Sequence, residues 1–336
     1  MRNTARFAVI ALCFALNPHE AGAWGASGHR YMGVDAIKAL PDEVPAFLRT
    51  DKVAADMGEL AREPDRWRQA GITHDEMRDP GHFVSIDDSG RVNGGPLLAG
   101  LPVTREDYES ALRAAGTDST KSGYLPYNII DGFQQVAKDF ALWRADNAGA
   151  KYAKTVEKRA WFEADRAQRE MRTIDDVGVW AHYVGDGSQP MHVSVHYNGW
   201  GPGPNPNNFT QAPIHAPFEG AFVRDHLTAA SVLAALPPYH ACNCTIEAAT
   251  SQYLRATLAQ IVPLYALEKK GGFRGGNREG IAFVTARVAA GAAELRDLIV
   301  DAWHASGSQA IGYPATPIAD VESGKADAYA LLYGDD

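Results

Sequence analysis

Apolar side chains recur along this chain at intervals of three and four, and no stretch sustains an alternation of two. Over 126–145, Ile129, Phe133, Val136, Phe140 and Trp143 follow one another at four, three, four and three, which is one face of a helix. A longer helix is predicted over 150–186, with Trp161, Met171, Ile174 and Val177 inward. Two more fit 245–268 (Leu254, Leu258, Ile261, with Pro263 placed to kink it) and 279–305 (Val288, Ala292, Leu295, Ile299), separated by Gly271–Gly276. Near the start, Ser27 is suited to cap a helix from about Gly28, with Val34, Ile37 and Leu40 in register and Pro41 stopping it. Shorter helices fit 42–49, 55–70 with an interruption near Pro64, 104–114 and 216–229. From 71 to 124 the pattern is lost, and 198–213 is a Gly/Pro/Asn-rich loop. The last thirty residues read as a weakly ordered tail with one short helix. The prediction is an all-α fold: a single compact multi-helix domain with long loops.

The first residues do not belong to that fold. Arg2 and Arg6 precede an apolar run, Phe7 to Leu16, and Ala21-Gly22-Ala23 is a small-x-small cleavage pattern. This reads as a signal peptide over 1–23, which makes the protein secreted or periplasmic. The domain is expected to span 24–310, with 311–336 as the tail. No later segment is long and apolar enough to span a bilayer, and no obligate protein partner is evident. The net charge is −9, and −10 once Arg2, Arg6 and Glu20 are lost, so no broad basic face for duplex nucleic acid is evident. Bound cations would escape such a count. Of the three cysteines, Cys13 leaves with the signal; Cys242 and Cys244 are read as structural, in a compartment that permits a disulfide.

Candidate chemistry concentrates in Trp180-Ala-His182-Tyr-Val-Gly-Asp186-Gly-Ser-Gln-Pro-Met-His192. His182 and Asp186, four apart, share a helix face, and His192 follows the helix-breaking Pro190. His215 and Glu219 repeat the spacing of four at another helix start. Imidazole and carboxylate at this spacing suit a metal ion as well as a solvated surface pair. His29, Asp65 and His82 bring the set to five histidines and three acids. Cleavage after Ala23 frees the amine of Trp24, whose nitrogen and carbonyl oxygen can chelate a metal in a five-membered ring.

The mature Trp24-Gly-Ala-Ser-Gly-His29 start, the Asp65 segment, His82-Phe83, His182-x3-Asp186-x5-His192 and His215-x3-Glu219 occur in the order found in a known superfamily. From Trp24 through Glu219 the chain resembles the zinc-dependent single-strand-specific nucleases and the bacterial zinc-dependent phospholipases C. The resemblance implies a helical fold of that type with three Zn2+ ions in a cleft. One ion would take Asp65, His82, His182 and Asp186. A second would take His192, His215 and Glu219. A third would take Trp24, His29 and the bridging Asp186. It further implies hydrolysis of a phosphodiester by metal-activated water, with Asp65 in the catalytic role of orienting or deprotonating that water.

The ester is less closely marked. Arg68 matches the nuclease branch's phosphate-binding arginine, and Phe83 a position where a base stacks; taken alone, they also read as an exposed helix arginine and a core phenylalanine. Glu219 in place of Asp, the Tyr124-Leu-Pro-Tyr127 helix start and Ser85 in place of an acid are similar to the phospholipase branch. The expected function is a nuclease on single-stranded DNA or RNA, or a nucleotide; the alternative is a phospholipase C acting on phospholipid head groups. A non-catalytic zinc-binding protein would be marked by a missing ligand, and none is missing. His196 is the remaining histidine best placed to line the cleft.

Overall fold

The computed structural model describes residues 24–333, so the signal peptide expected at 1–23 lies outside the described residues. The fold is all-α. In chain order the helices are α1 (Gly25–Lys38), α2 (Asp51–Leu60), α3 (Glu63–Arg66), α4 (Ile72–Arg78), α5 (Arg105–Ala114), α6 (Ser119–Ser122), α7 (Leu125–Tyr152), α8 (Val156–Asp186), α9 (Val223–His226), α10 (Ala229–Leu233), α11 (Ile246–Leu258), α12 (Ile261–Lys269), α13 (Arg278–Ser306), α14 (Ile318–Glu322) and α15 (Ala328–Leu332). The strands described, β1 (Ala310–Ile311) and β2 (Thr316–Pro317), pair antiparallel. No helix among the described residues is long and apolar enough to cross a membrane.

The centre of the molecule is the hairpin of α7 and α8, against which α13 packs. Ile129, Val136, Phe140 and the small Ala137, Ala141 and Ala145 form the buried face of α7. The Trp180 indole N–H donates to the Ile129 carbonyl at 2.9 Å, which ties the far end of α8 to the near end of α7. α8 is exposed along its first half and buried along its second. It therefore runs from the surface inward and delivers its last turn, His182 to Asp186, to the interior. Met171, expected inward, lies on the exposed half at 57% exposure.

Several expected elements differ. α1 begins at Gly25, and Ser27 lies within its first turn rather than capping it. No helix forms over 42–49: Pro41 and Pro45 supply no N–H, and the segment closes as separate turns, Val44 N to Pro41 O and Leu48 N to Pro45 O. The 150–186 helix starts only at Val156, because Thr155 takes the extended backbone of an N-cap and accepts the Lys158 N–H. The break expected at Pro263 falls at Ala259–Gln260, with Pro263 in the first turn of α12, where its missing N–H costs nothing. The tail is folded. Ile311, Ile318, Val321 and Ala328 bury against Ala141, Ala145, Ala148 and Phe162 in a second apolar cluster. Cys242 and Cys244 are bridged. The irregular 84–124 segment holds itself by short bridges, Val84 to Gly123 and Ile86 to Val92, and supplies one wall of the cleft described next.

Candidate metal centre

Five parts of the chain meet at the inner end of α8. The close approach of α1 to α8 sets the first contact. A Cβ on Gly185 would stand 2.8 Å from Met32 Cε and 3.1 Å from His29 Nδ1, so glycine there leaves room for His29 beside Asp186. The fully buried Trp24 clamps the same junction: its indole N–H lies 3.1 Å from the Gly185 carbonyl and 2.7 Å from Ser188 Oγ. Asp65 is carried in by α3, which packs on α8 with Pro64 buried. His82 and His192 lie on short 3-10 turns, Asp79–His82 and Pro190–Val193. α8 ends at Asp186, before Pro190, so Pro190 opens the next turn rather than breaking this one. His215 and Glu219 face one another across a turn widened to π geometry over Pro217–Phe222.

The donor atoms form three groups able to hold a metal ion: His29, His182 and Asp186; Asp65, His82 and His182; His192, His215 and Glu219. His182 is common to the first two, and Asp186, a member of the first, also touches His82 of the second. Asp186 Oδ2 is 3.1 Å from His82 Nδ1 and 3.4 Å from His182 Nε2, and its Oδ1 is 3.4 Å from His29 Nε2. Asp65 Oδ1 is 3.9 Å from His182 Nε2. In the third group His215 Nε2 is 2.8 Å from Glu219 Oε2 and 3.0 Å from His192 Nε2.

The hydrogen bonds around these groups fix which atoms are free. His182 Nδ1 donates to the Ala61 carbonyl (2.8 Å), His192 Nδ1 to the His82 carbonyl (2.7 Å) and His215 Nδ1 to the Tyr197 carbonyl (2.7 Å). A carbonyl oxygen only accepts, so each Nδ1 holds the proton and each Nε2 turns a lone pair into the cluster. His192 Nε2, His215 Nε2 and the Glu219 carboxylate are then three acceptors aimed at one point. Such a set needs a metal ion or a proton among them, beyond the single N–H that Gln189 donates to Glu219. Buried atoms without a hydrogen-bond partner repeat the pattern: both ring nitrogens of His29, Asp65 Oδ1, Asp186 Oδ1 and Glu219 Oε1. These residues fit a resident metal of the nitrogen- and oxygen-loving kind.

The electrostatics agree. Burial, then the His182 ring beside it, pulls His29 well below the usual imidazole value. Burial and His182 do the same to His82, and burial pulls His182 itself down to about 3. All three are therefore neutral ligands near pH 7. Burial, with Asp65 nearby, pushes Asp186 well above the carboxylate range, the mark of a negative charge awaiting compensation. The third group differs. Burial works against charge on both partners, but the Glu219 carboxylate raises His215 above the usual imidazole value. His215, with hydrogen bonds from His192 and His215, in turn holds Glu219 at about 2, so without a metal a shared proton compensates this pair.

Above the groups opens a cleft of about 550 Å³, with Arg68, Phe83, Lys121, His192, Tyr197 and His215 in its wall. Arg68 lies 3.5 Å from Asp65 and 3.7 Å from Asp79, and its Nε has no hydrogen-bond partner. Phe83 is half-buried on the wall rather than in the core. His196, expected to line the cleft, does not. It is buried, stacked on Trp200 at 3.8 Å and held by Asp88 and the Gly201 carbonyl. Two side chains escaped the sequence reading. Gln189 donates to Glu219 Oε2 at 3.1 Å while accepting the Met191 N–H, and Asn198 accepts the N–H of His215. Both position ligands, and their only sequence signal is nearness to a ligand. Protein-family models give no match to the chain, and neither do curated proteins.

Proposed function

We propose that the protein is a zinc-dependent phosphodiesterase, acting as a nuclease on single-stranded nucleic acid and exported by its N-terminal segment. The observation that carries this is the third group: His192 Nε2, His215 Nε2 and Glu219 converge on one point, with the two histidines in the wall of an open cleft. The assignment of residues would be Asp65, His82, His182 and Asp186 to one ion; His192, His215 and Glu219 to a second; and His29, Asp186 and Trp24 to a third. When bound, zinc supplies Lewis-acid charge stabilisation and a water acidic enough to act near neutral pH. Asp65, grouped with His82 and His182 and beside Arg68, accepts the proton of the attacking water. Arg68 lies in the cleft wall, where its guanidinium orients the phosphate. The Phe83 ring offers a face on which a base stacks without regard to sequence. Neighbouring Tyr197, 60% exposed, widens that apolar side.

Arg68→Ala should lower kcat/KM roughly ten- to hundredfold, the worth of a hydrogen bond to a charged group. The test of the whole proposal is a panel of single-stranded DNA, RNA, phosphatidylcholine and a small phosphodiester, each with and without chelator. Chelator-sensitive cleavage of the oligonucleotides is the expected result. Turnover of phosphatidylcholine with none of the oligonucleotides would move the assignment to a phospholipase C.

A further inference from the structure

We infer that the cleft continues past Arg68 onto a second patch that holds a further stretch of strand, so that the substrate is a single-stranded polymer rather than an isolated diester. This rests on the phosphodiesterase proposal above. Arg68 belongs to two walls. One is the metal cleft; the other is an open depression of about 580 Å³ bounded by Arg66, Trp67, Gln69, His74 and Arg78. Three guanidinium groups thus gather on one shoulder of a chain whose net charge is −9. Arg66 is engaged by Glu59 and Glu63, and Arg68 by Asp65 and Asp79. Arg78 is different. It is exposed, it forms no ion pair among the described residues, and it lies 5.5 Å from the centre of the half-buried Trp67 ring.

A free guanidinium beside an indole face is what a nucleotide needs: a donor fork for the phosphate and a surface for the base. Core packing does not account for this placement. α4, which carries Arg78, has no buried residue and leaves Ile72 and Met77 77% and 58% exposed. It is held through polar ties: Asp75 accepts the Gln69 N–H at 3.1 Å, and the Met77 carbonyl accepts the Tyr124 hydroxyl at 2.6 Å. On the cleft side of Arg68 stand Lys121 and Tyr197, so cation and aromatic recur at the cleft and on the shoulder. Only an unpaired base can lay its face on Trp67, which selects single strands over duplex.

The test is fluorescence anisotropy of the purified full protein with labelled, phosphorothioate-linked dT3 and dT10. The parent should bind dT10 at least about tenfold more tightly than dT3, the worth of one stacked base. Arg78→Glu should abolish that advantage and reduce the salt slope by about one, Arg78→Lys should keep most of it, and Trp67→Leu should remove about tenfold. Equal binding of the two lengths by the parent overturns the inference. So does a dT10 advantage that survives Arg78→Glu and Trp67→Leu, or an equal loss for both lengths. The phosphodiesterase proposal fails separately: a parent that never cleaves ordinary dT10, yet binds it with this length dependence, leaves the patch standing without the reaction.

Discussion

Asp186→Asn separates a metal ligand from a structural hydrogen-bonding group by the sign of its effect. The carboxylate is fully buried and lies within 3.4 Å of His29, His82 and His182, which fits the proposed assignment of Asp186 to two ions. Asparagine keeps the shape but removes the charge and replaces one ligand oxygen by an amide donor. Zinc content should fall from three ions to one, held by His192, His215 and Glu219. An ion at a thousandfold excess over its Kd stabilises the native state by about 4 kcal/mol. At about 2 °C or more per kcal/mol for a chain of this size, losing two ions should lower Tm in zinc by on the order of 15 °C. In chelator the sign reverses. The parent must then take up a proton on the buried Asp186, which near pH 7 costs about 1.4 kcal/mol for each pH unit by which its carboxyl is raised, and the variant has no such cost. Scanning calorimetry of both proteins, with and without chelator, beside metal analysis reads all three numbers. Full zinc in the variant, a parent Tm indifferent to chelator, or a variant less stable than the parent in chelator would each refute the reasoning.

Three further outcomes are expected. An extra residue left before Trp24 should reduce zinc content to about two ions, since Trp24 is sealed between α8 and Phe218; full loading of the extended chain would remove Trp24 from the ligand set. Gly132→Ala should lower stability by about 1–3 kcal/mol, because the new Cβ would fall 2.1 Å from Trp180 Cδ1; an unchanged urea midpoint would contradict this. Burial, then the neighbouring Asp165, pushes Asp146 up to about 8. An acid raised in the native state binds its proton more tightly there than when unfolded. Its contribution is therefore full below pH about 4 and is lost as pH rises through about 8. Asp146→Asn should gain a few kcal/mol on the parent at pH 9 and little at pH 4; an equal gain at both pH values would show that Asp146 is not protonated in the fold.

The legible parts of the molecule are those with a local cause. The periodicity of Ile129, Phe133, Val136 and Phe140 places α7, and that of Val288, Ala292, Leu295 and Ile299 places α13, because each face buries against a neighbour along its whole length. The spacing of four places His182 beside Asp186 and His215 beside Glu219, although the second pair stands on a π turn rather than an α turn. What escaped has distant causes. The folded tail is invisible because its partner is a stripe of alanines on α7, which carries no signal of its own. Met171 follows the apolar period of α8 but lies where nothing covers it. The carbonyl partners of His182, His192 and His215 are main-chain atoms, and a sequence cannot say which carbonyl will lie where. Trp67 and Arg78 are eleven residues apart and meet only because the chain turns back through α4.

The most direct measurement is cleavage of a single-stranded oligonucleotide by chelator-stripped protein as zinc is returned. Cleavage should be absent at the start, return with added zinc and reach its plateau as the third ion binds. Cleavage that persists without metal, or a protein that holds three zinc ions and leaves both single-stranded DNA and RNA intact, would contradict the proposed function.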